Sequence, residues 1–333
     1  MTLIAIDGGG TKTEIVAFKA NGRIVGHRIG GACNPNLFGF EECASRLADA
    51  FRSMGVAVEA ESKIYIGTAG IFTAEDGPRF AAQVSRCCGG AVVKCENDAM
   101  NVMASASNGG DCVAGVCGTG SIAFARSAEG VRRFGGAGHL LDSRGSGYGI
   151  GVDVLRLLMR DRDRGVFSPL SGLVLSAYAG EVAAKSGRDG VPPMSAVDDG
   201  QKAADDLALE VYRREPAFVA AFARVVFDAV RAGDADAGRI LQENVCAFAR
   251  LLESAAAWTA NARLAVVSGG IAERPEFLGR LRRELEGKFE VVVPAYPQIV
   301  GACLNCAVLA GLAPREVKAE IVESYRKAKA GIS

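Results

Sequence analysis

The first apolar run, TLIAID (2–7), stops at an acid and three glycines, and a second run, TEIVAF (13–18), follows. Short apolar runs separated by glycines predict two strands joined by a tight turn. Asn21-Gly22 is a hairpin signal, and RIVGHRI (23–29) supplies a third strand. The spacing then changes. FEECASRLADAFRSMG (40–55) repeats its apolar residues at helical intervals and ends on Gly55, which predicts a helix. KIYIG (63–67) reads as a strand, EDGPRFAAQVSRC (75–87) as a helix, and AVVKCEND (91–98) as a strand ending in acid. The helical AMNVMASAS (99–107) comes next.

A second round with the same plan begins near residue 111. DCVAGVCGTGSIAFAR (111–126) is strand, glycine turn and strand, and GVRRFGG (130–136) extends it. The stretch from about 150 to 260 is helical and rich in Ala, Asp and Arg; within it, RDRDRG (160–165) reads as a solvated helix end. LAVVSGGIAE (264–273) is a strand running into glycines, ERPEFLGRLRREL (273–285) a helix with proline near its start, and EVVVP (290–294) a last short strand. VGACLNCAVLAGLA and PREVKAEIVESYRKAKAG close the chain as helices. Antiparallel strands followed by alternating helices and strands predict mixed sheets flanked by helices, an α/β class.

Length and composition narrow the functional classes. A chain of 333 residues is long for one core, so two domains are expected. Lys plus Arg and Asp plus Glu are both 38, which gives no overall charge to attract nucleic acid or an anionic membrane. No apolar stretch approaches the roughly 20 residues of a membrane span, and the first residues carry no leader pattern, so a cytoplasmic protein is expected. The ten cysteines sit mostly in apolar runs and read as reduced core thiols. Cys303 and Cys306 form one CxxC without a second pair, a weak metal signal.

The chemistry concentrates in the glycine turns. In Asp7-Gly8-Gly9-Gly10-Thr11, glycine permits close backbone approach, successive N–H groups can form an anion nest, and Thr11 and Lys12 add a hydroxyl and a charge. Asp7 would repel a bare phosphate, so its natural task is to hold Mg²⁺, through water. A glycine-rich hairpin without a ligand is the alternative. The turn is not a Walker A loop or a Rossmann fingerprint, because a strand and not a helix follows it. Cys117-Gly118-Thr119-Gly120-Ser121 is a second strand-flanked turn, and Ser268-Gly269-Gly270-Ile271-Ala272 a third. Asp98, at a strand end, could accept a proton from an attacking hydroxyl, or could simply cap the helix that follows. Glu96 and Asn97 are its polar neighbours. Thr68 and Gly70 lie at another strand end.

Together DGGGTKTE, CNPN (33–36), ENDAMN (96–101), GTGS (118–121), GGAGHLLDSRGSGYGIG (135–151) and SGGIAER (268–274) resemble the actin, sugar kinase and Hsp70 superfamily. Within it the chain resembles the BadF/BadG/BcrA/BcrD-type ATPases, a group that includes N-acetylglucosamine and glucosamine kinases. The resemblance implies a two-lobed actin-like ATPase (ribonuclease H-like) fold, with residues 1–115 and 302–333 as the first lobe and 116–301 as the second. It implies ATP and Mg²⁺ as cofactors, a small sugar as substrate, no nucleic-acid or membrane partner, and room for a homodimer. Carried over residue by residue, Asp7 matches the metal-facing acid and Asp98 the catalytic aspartate. Gly9, Gly10, Thr11 and Lys12 match the first phosphate turn, Gly118, Thr119 and Gly120 the second, and Gly269 and Gly270 the nucleoside turn. Asn34, Thr68, Gly70, Asn97 and the segment Gly136, Ala137, Gly138 fall at acceptor positions.

One motif departs from the pattern. Such kinases usually carry GDEGS where this chain has Asp142-Ser143-Arg144-Gly145-Ser146. Either Asp142, shifted by one residue, does the missing aspartate's work, or Arg144 turns the site toward an acceptor bearing a carboxylate or phosphate. The other expectation is an ATPase that activates a 2-hydroxyacyl-CoA dehydratase. Such proteins hold an iron–sulfur cluster on a cysteine before a glycine-rich helix start, and SRGSG has none.

Overall fold

The computed structural model describes residues 1–9, 12–71, 73–107, 111–186, 197–259 and 261–330. The chain divides into two compact units, Met1–Gly110 with Val292–Ser333, and Asp111–Val291.

The first unit contains β1 (Leu3–Gly8), β2 (Lys12–Phe18), β3 (Ile24–Gly31), α1 (Pro35–Phe38), α2 (Phe40–Ser53), β4 (Lys63–Thr68), α3 (Asp76–Cys87), β5 (Val92–Glu96) and α4 (Ala99–Ala106). Its sheet has the order β3-β2-β1-β4-β5. The first three strands form the expected antiparallel meander, and β4 and β5 join β1 in parallel. Strand alternation sends successive residues to opposite faces, and both faces are buried. Ile4, Ile6, Ile15, Ala17, Ile64 and Ile66 meet Leu47 and Phe51 of α2 and Phe80 and Val84 of α3. Leu3, Ala5, Val16, Phe18 and Tyr65 form the opposite core. Each fully buried aliphatic or aromatic side chain contributes roughly 1.5–3 kcal/mol.

The second unit repeats the plan. It contains β6 (Cys112–Cys117), β7 (Ser121–Ser127), β8 (Gly130–Gly135), α5 (Gly147–Arg164), α6 (Pro169–Ser186), α7 (Val197–Arg213), α8 (Pro216–Ala221), α9 (Ala223–Arg231), α10 (Ala235–Ala256), β9 (Leu264–Ser268), α11 (Pro275–Glu284) and β10 (Glu290–Val292). The sheet order, β10-β9-β6-β7-β8, mirrors that of the first unit. Helix α10 lies across β6, β7 and β8. Gly115 makes this approach feasible, since a Cβ there would stand 2.7 Å from both Phe248 and Leu252. As expected for RDRDRG, α5 ends at Arg164, with Gly165 in the left-handed conformation as its cap.

The chain then returns to the first unit with α12 (Gln298–Leu309) and α13 (Pro314–Ala330). Both helices build the core beneath Leu3, Ala5 and Val16, through Ile299, Val300, Leu304, Val317 and Ile321. The whole of α12 packs with the first unit, so the backbone changes unit between 291 and 292 and not at 302, which falls inside this helix. All ten cysteines are free thiols, and eight of them, including Cys303 and Cys306, are buried. Among the described residues no helix is long and apolar enough to cross a membrane.

Candidate active site

In the first unit the parallel register aligns Asp7, Gly67 and Glu96 in one row at the carboxyl ends of β1, β4 and β5. Asp98 follows two residues later. Asp7 is half-buried, and its carboxylate accepts a 2.8 Å hydrogen bond from Asn101 Nδ2. Burial dominates and pushes its pKa up to about 6; the Asn101 bond and Lys12 oppose this, and the charges of Asp98 and Glu14 add to it. Asp98 is likewise half-buried and its pKa is raised by burial, against backbone amides of Ala99 and its own residue.

The geometry bears on the capping reading of Asp98. Its backbone is already helical, with φ −58° and ψ −25°, and its side chain makes no capping bond. Asn97 does that work: its Oδ1 accepts from Ala99 N at 3.0 Å, and its Nδ2 donates to the Ile71 carbonyl at 3.1 Å. Asn97 is thus committed to the start of α4, and the Asp98 side chain does not cap it. Glu96 is also committed, accepting from the buried Tyr65 hydroxyl at 2.8 Å and pairing with Lys94 at 3.1 Å.

The remaining first-unit positions cluster around Asn34. Asn34 Oδ1 accepts from Asn36 N at 2.9 Å and caps α1, a helix the sequence pattern missed. Gly70 adopts φ +96°, and a Cβ there would lie 2.2 Å from Asn34 Oδ1, so only glycine fits. Thr68 is fully buried and donates to the Cys33 carbonyl at 2.8 Å, holding the residue before Asn34. At the first glycine turn, Gly9 N donates to the Lys12 carbonyl at 2.8 Å. Gly10 and Thr11 lie outside the described residues.

In the second unit the two other turns meet. Ile271 and Ala272 both donate to the Cys117 carbonyl, at 3.0 and 3.2 Å. Gly269, at φ +104°, has no space for a Cβ, which would stand 2.4 Å from that same oxygen. Gly118 and Thr119 accept from Gly147 N and Tyr148 N at the start of α5, at 2.8 and 3.0 Å. Ser146 caps α5 by accepting from Gly149 N at 3.1 Å. Gly118, Gly120 and Gly270 differ from Gly269. A Cβ on any of them would touch nothing, and none has a positive φ. Glycine at these three positions is not required by the protein's own packing.

The departing motif is divided. Asp142 Oδ2 accepts from Gly136 N at 2.8 Å and Asp142 N donates to the Gly138 carbonyl at 2.9 Å, so Asp142 braces the Gly136–Gly138 segment; Ala137 and Gly138 are exposed. Ser143 accepts from the Ser146 hydroxyl through its carbonyl. Arg144 is exposed and lines a cavity between α5, α7 and α10.

Residues 4–305 match the BadF/BadG/BcrA/BcrD ATPase family. The chain belongs to this family. It is 28% identical over 249 residues to the N-acetylmuramic acid/N-acetylglucosamine kinase of Clostridium acetobutylicum, covering 72% of this chain and 74% of the relative. It is 30% identical over 177 residues to the N-acetyl-D-glucosamine kinase of Dictyostelium discoideum, covering 48% of this chain and 55% of that one. A solved structure from Chromobacterium violaceum, provisionally named an N-acetylglucosamine kinase, shares the fold with a TM-score of 0.61 at 22% identity, covering 92% of this chain and 98% of that one.

Two family-member residues near the site escaped the sequence reading. Asn101 is fully buried and holds Asp7; its Oδ1 has no partner among the described residues, and a Cβ on Gly67 or Gly301 would strike it or its carbonyl. Its only signal was its place in ENDAMN, three residues after Asp98. Asn244, 1% exposed, donates to Asp153 Oδ2 at 2.9 Å and accepts from Gly145 N at 3.0 Å, tying α10 to α5 and to the Asp142–Ser146 loop. An asparagine inside an apolar helix gave no warning of this.

Proposed function

We propose that this family member transfers a phosphoryl group from ATP to a hydroxyl of an N-acetylated or free amino sugar, with Asp98 as the base. The observation that carries the reading is the release of Asp98 from helix capping by Asn97. A half-buried carboxylate with a raised pKa that makes no capping bond suits proton acceptance from an alcohol. The names of the Clostridium and Dictyostelium relatives support the substrate class.

The residues present fit the nucleotide. Gly118, Gly120 and Gly270 leave backbone uncovered where a side chain would have had room, as expected if another molecule approaches there. Gly9, Gly10, Thr11 and Lys12 would hold phosphate in the first unit, and Gly118, Thr119 and Gly120 in the second; Gly269 and Gly270 would flank the nucleoside. Asp7 has Asp98 and Glu14 as acidic neighbours against Lys12 alone, a balance that favours a divalent cation. Bound Mg²⁺-ATP supplies the transferable phosphoryl group and a counter-charge for it.

The chain's own contribution is positional. Asn101 fixes Asp7, Asn97 fixes the start of α4 beneath Asp98, and Thr68 and Gly70 shape the Asn34 loop for the acceptor. Gly136, Ala137 and Gly138, held by Asp142, would contact the sugar, with Ser143 beside them. Positioning and charge placement account for most of the acceleration in phosphoryl transfer. The test is an ADP-release screen with Mg²⁺-ATP over N-acetylglucosamine, glucosamine, N-acetylmannosamine, N-acetylmuramic acid and glucose. Selective turnover of amino sugars is expected. Hydrolysis independent of any sugar would refute the reading.

A further inference from the structure

The cavity that Arg144 lines measures about 640 Å³, within the range of small-molecule sites. It lies wholly in the second unit, and none of the three glycine turns reaches it. One face of α5 supplies Val152, Leu155 and Met159 and, on the adjacent stripe, Asp153, Arg156 and Arg160, each set at i, i+3 and i+7. Helix α7 contributes Leu207 and Ala208, and α10 contributes Ile240. Leu207 and Ile240 are buried, at 0% and 2% exposure, and give an apolar floor.

The rim is charged and unbalanced. It holds four arginines, Arg144, Arg156, Arg160 and Arg239, against two carboxylates, Asp153 and Glu243. Both acids are already paired: Asp153 with Arg156 at 3.3 Å and with Asn244, and Glu243 with Arg239 at 3.4 Å. Arg144 and Arg160 have no ion-pair partner among the described residues. The backbone of Arg144 is held in place. Its carbonyl accepts from the Ser121 hydroxyl at 3.2 Å, and the next residue, Gly145, is fixed at φ +76° by Asn244. Guanidinium groups at the rim of an apolar floor are suited to a carboxylate or phosphate head on an apolar body.

We infer that this α5/α7/α10 cavity binds a small amphipathic anion, with Arg144 and Arg160 holding the head group and Leu155, Leu207 and Ile240 receiving the body. The site is independent of the phosphotransfer reading, because binding can be measured without nucleotide or sugar.

The experiment is isothermal titration of the full chain with octanoate, octyl phosphate and octyltrimethylammonium. Octanoate and octyl phosphate distinguish the two head groups; each should bind at one site, and the cation at least tenfold more weakly. Arg160→Gln should weaken the preferred anion by roughly tenfold while leaving ATP binding unchanged, as expected for loss of one charge-assisted contact. Ala208→Phe, at a half-buried position facing the cavity, should abolish binding while the thermal transition is retained. Equal affinity for the cation, or unchanged anion binding in both variants, would overturn the proposal.

Discussion

Asp7 offers a direct link between the site's electrostatics and the protein's stability. Its carboxyl is pushed from an ordinary 3.8 to about 6, with burial as the main cause. Well below pH 4 it is protonated in both the folded and unfolded chain and costs nothing. As pH rises from about 4 through 6 the unfolded chain releases this proton first, so folding stability falls across that window. Two pKa units correspond to about 3 kcal/mol, and above pH 7 the whole of that cost is present. Asp7→Asn keeps an oxygen for the Asn101 bond and removes the charge. In EDTA the variant should therefore be more stable than the parent by up to about 3 kcal/mol at pH 8, and by almost nothing at pH 4. For a unit of about 150 residues this is roughly 6–12 °C in Tm at pH 8. Calorimetry of both proteins across pH 4–8 measures it. A gap that does not change with pH, or a variant less stable at pH 8, would refute the reasoning. The same variant should lose Mg²⁺-dependent turnover, a trade of stability for function.

Other substitutions test the scaffold around the site. Asn97→Ala removes the cap of α4 and the donor to Ile71, and should cost about 1–2 kcal/mol in urea unfolding; no change would return the capping role to Asp98. Gly301→Ala would place a Cβ 1.9 Å from the Asn101 carbonyl, where α12 crosses α4. It should destabilise by about 1–3 kcal/mol and lower activity together with stability; wild-type stability would contradict the tight crossing. Gly118→Ala meets no protein atom, so it should leave the melting temperature within about 1 °C while weakening ATP binding at least tenfold, an effect of roughly 1.4 kcal/mol. Unchanged ATP affinity would remove that turn from the nucleotide site.

The strands were legible because both sheets begin with a meander whose turns carry their own chemistry, Asn21-Gly22 in one and Gly118–Gly120 in the other. The acids at strand ends could be found for the same reason: a strand that stops on Asp or on glycines declares its terminus. What could not be read depended on which helix covers which sheet. Nothing local separates Asn97 from Asp98 as a helix cap, since both residue types cap well; the choice follows from Ile71 lying within reach of the Asn97 amide. Asn101 and Asn244 look like misplaced polar residues until α4 is set against β4, with Asn101 reaching Asp7, and α10 beside α5. Arg144 showed only as a broken motif. Its surroundings come from residues 152–160, 207–212 and 239–243, which converge through tertiary packing.

The central claim is that Asp98 takes the acceptor's proton. Asp98→Asn removes the base and preserves shape, since the side chain caps nothing and Asn97 still holds α4. With the amino sugar that the screen selects, kcat should fall by roughly 10²–10⁴, the range of a lost general base, while ATP affinity stays within about twofold. Turnover within tenfold of the parent would contradict the account.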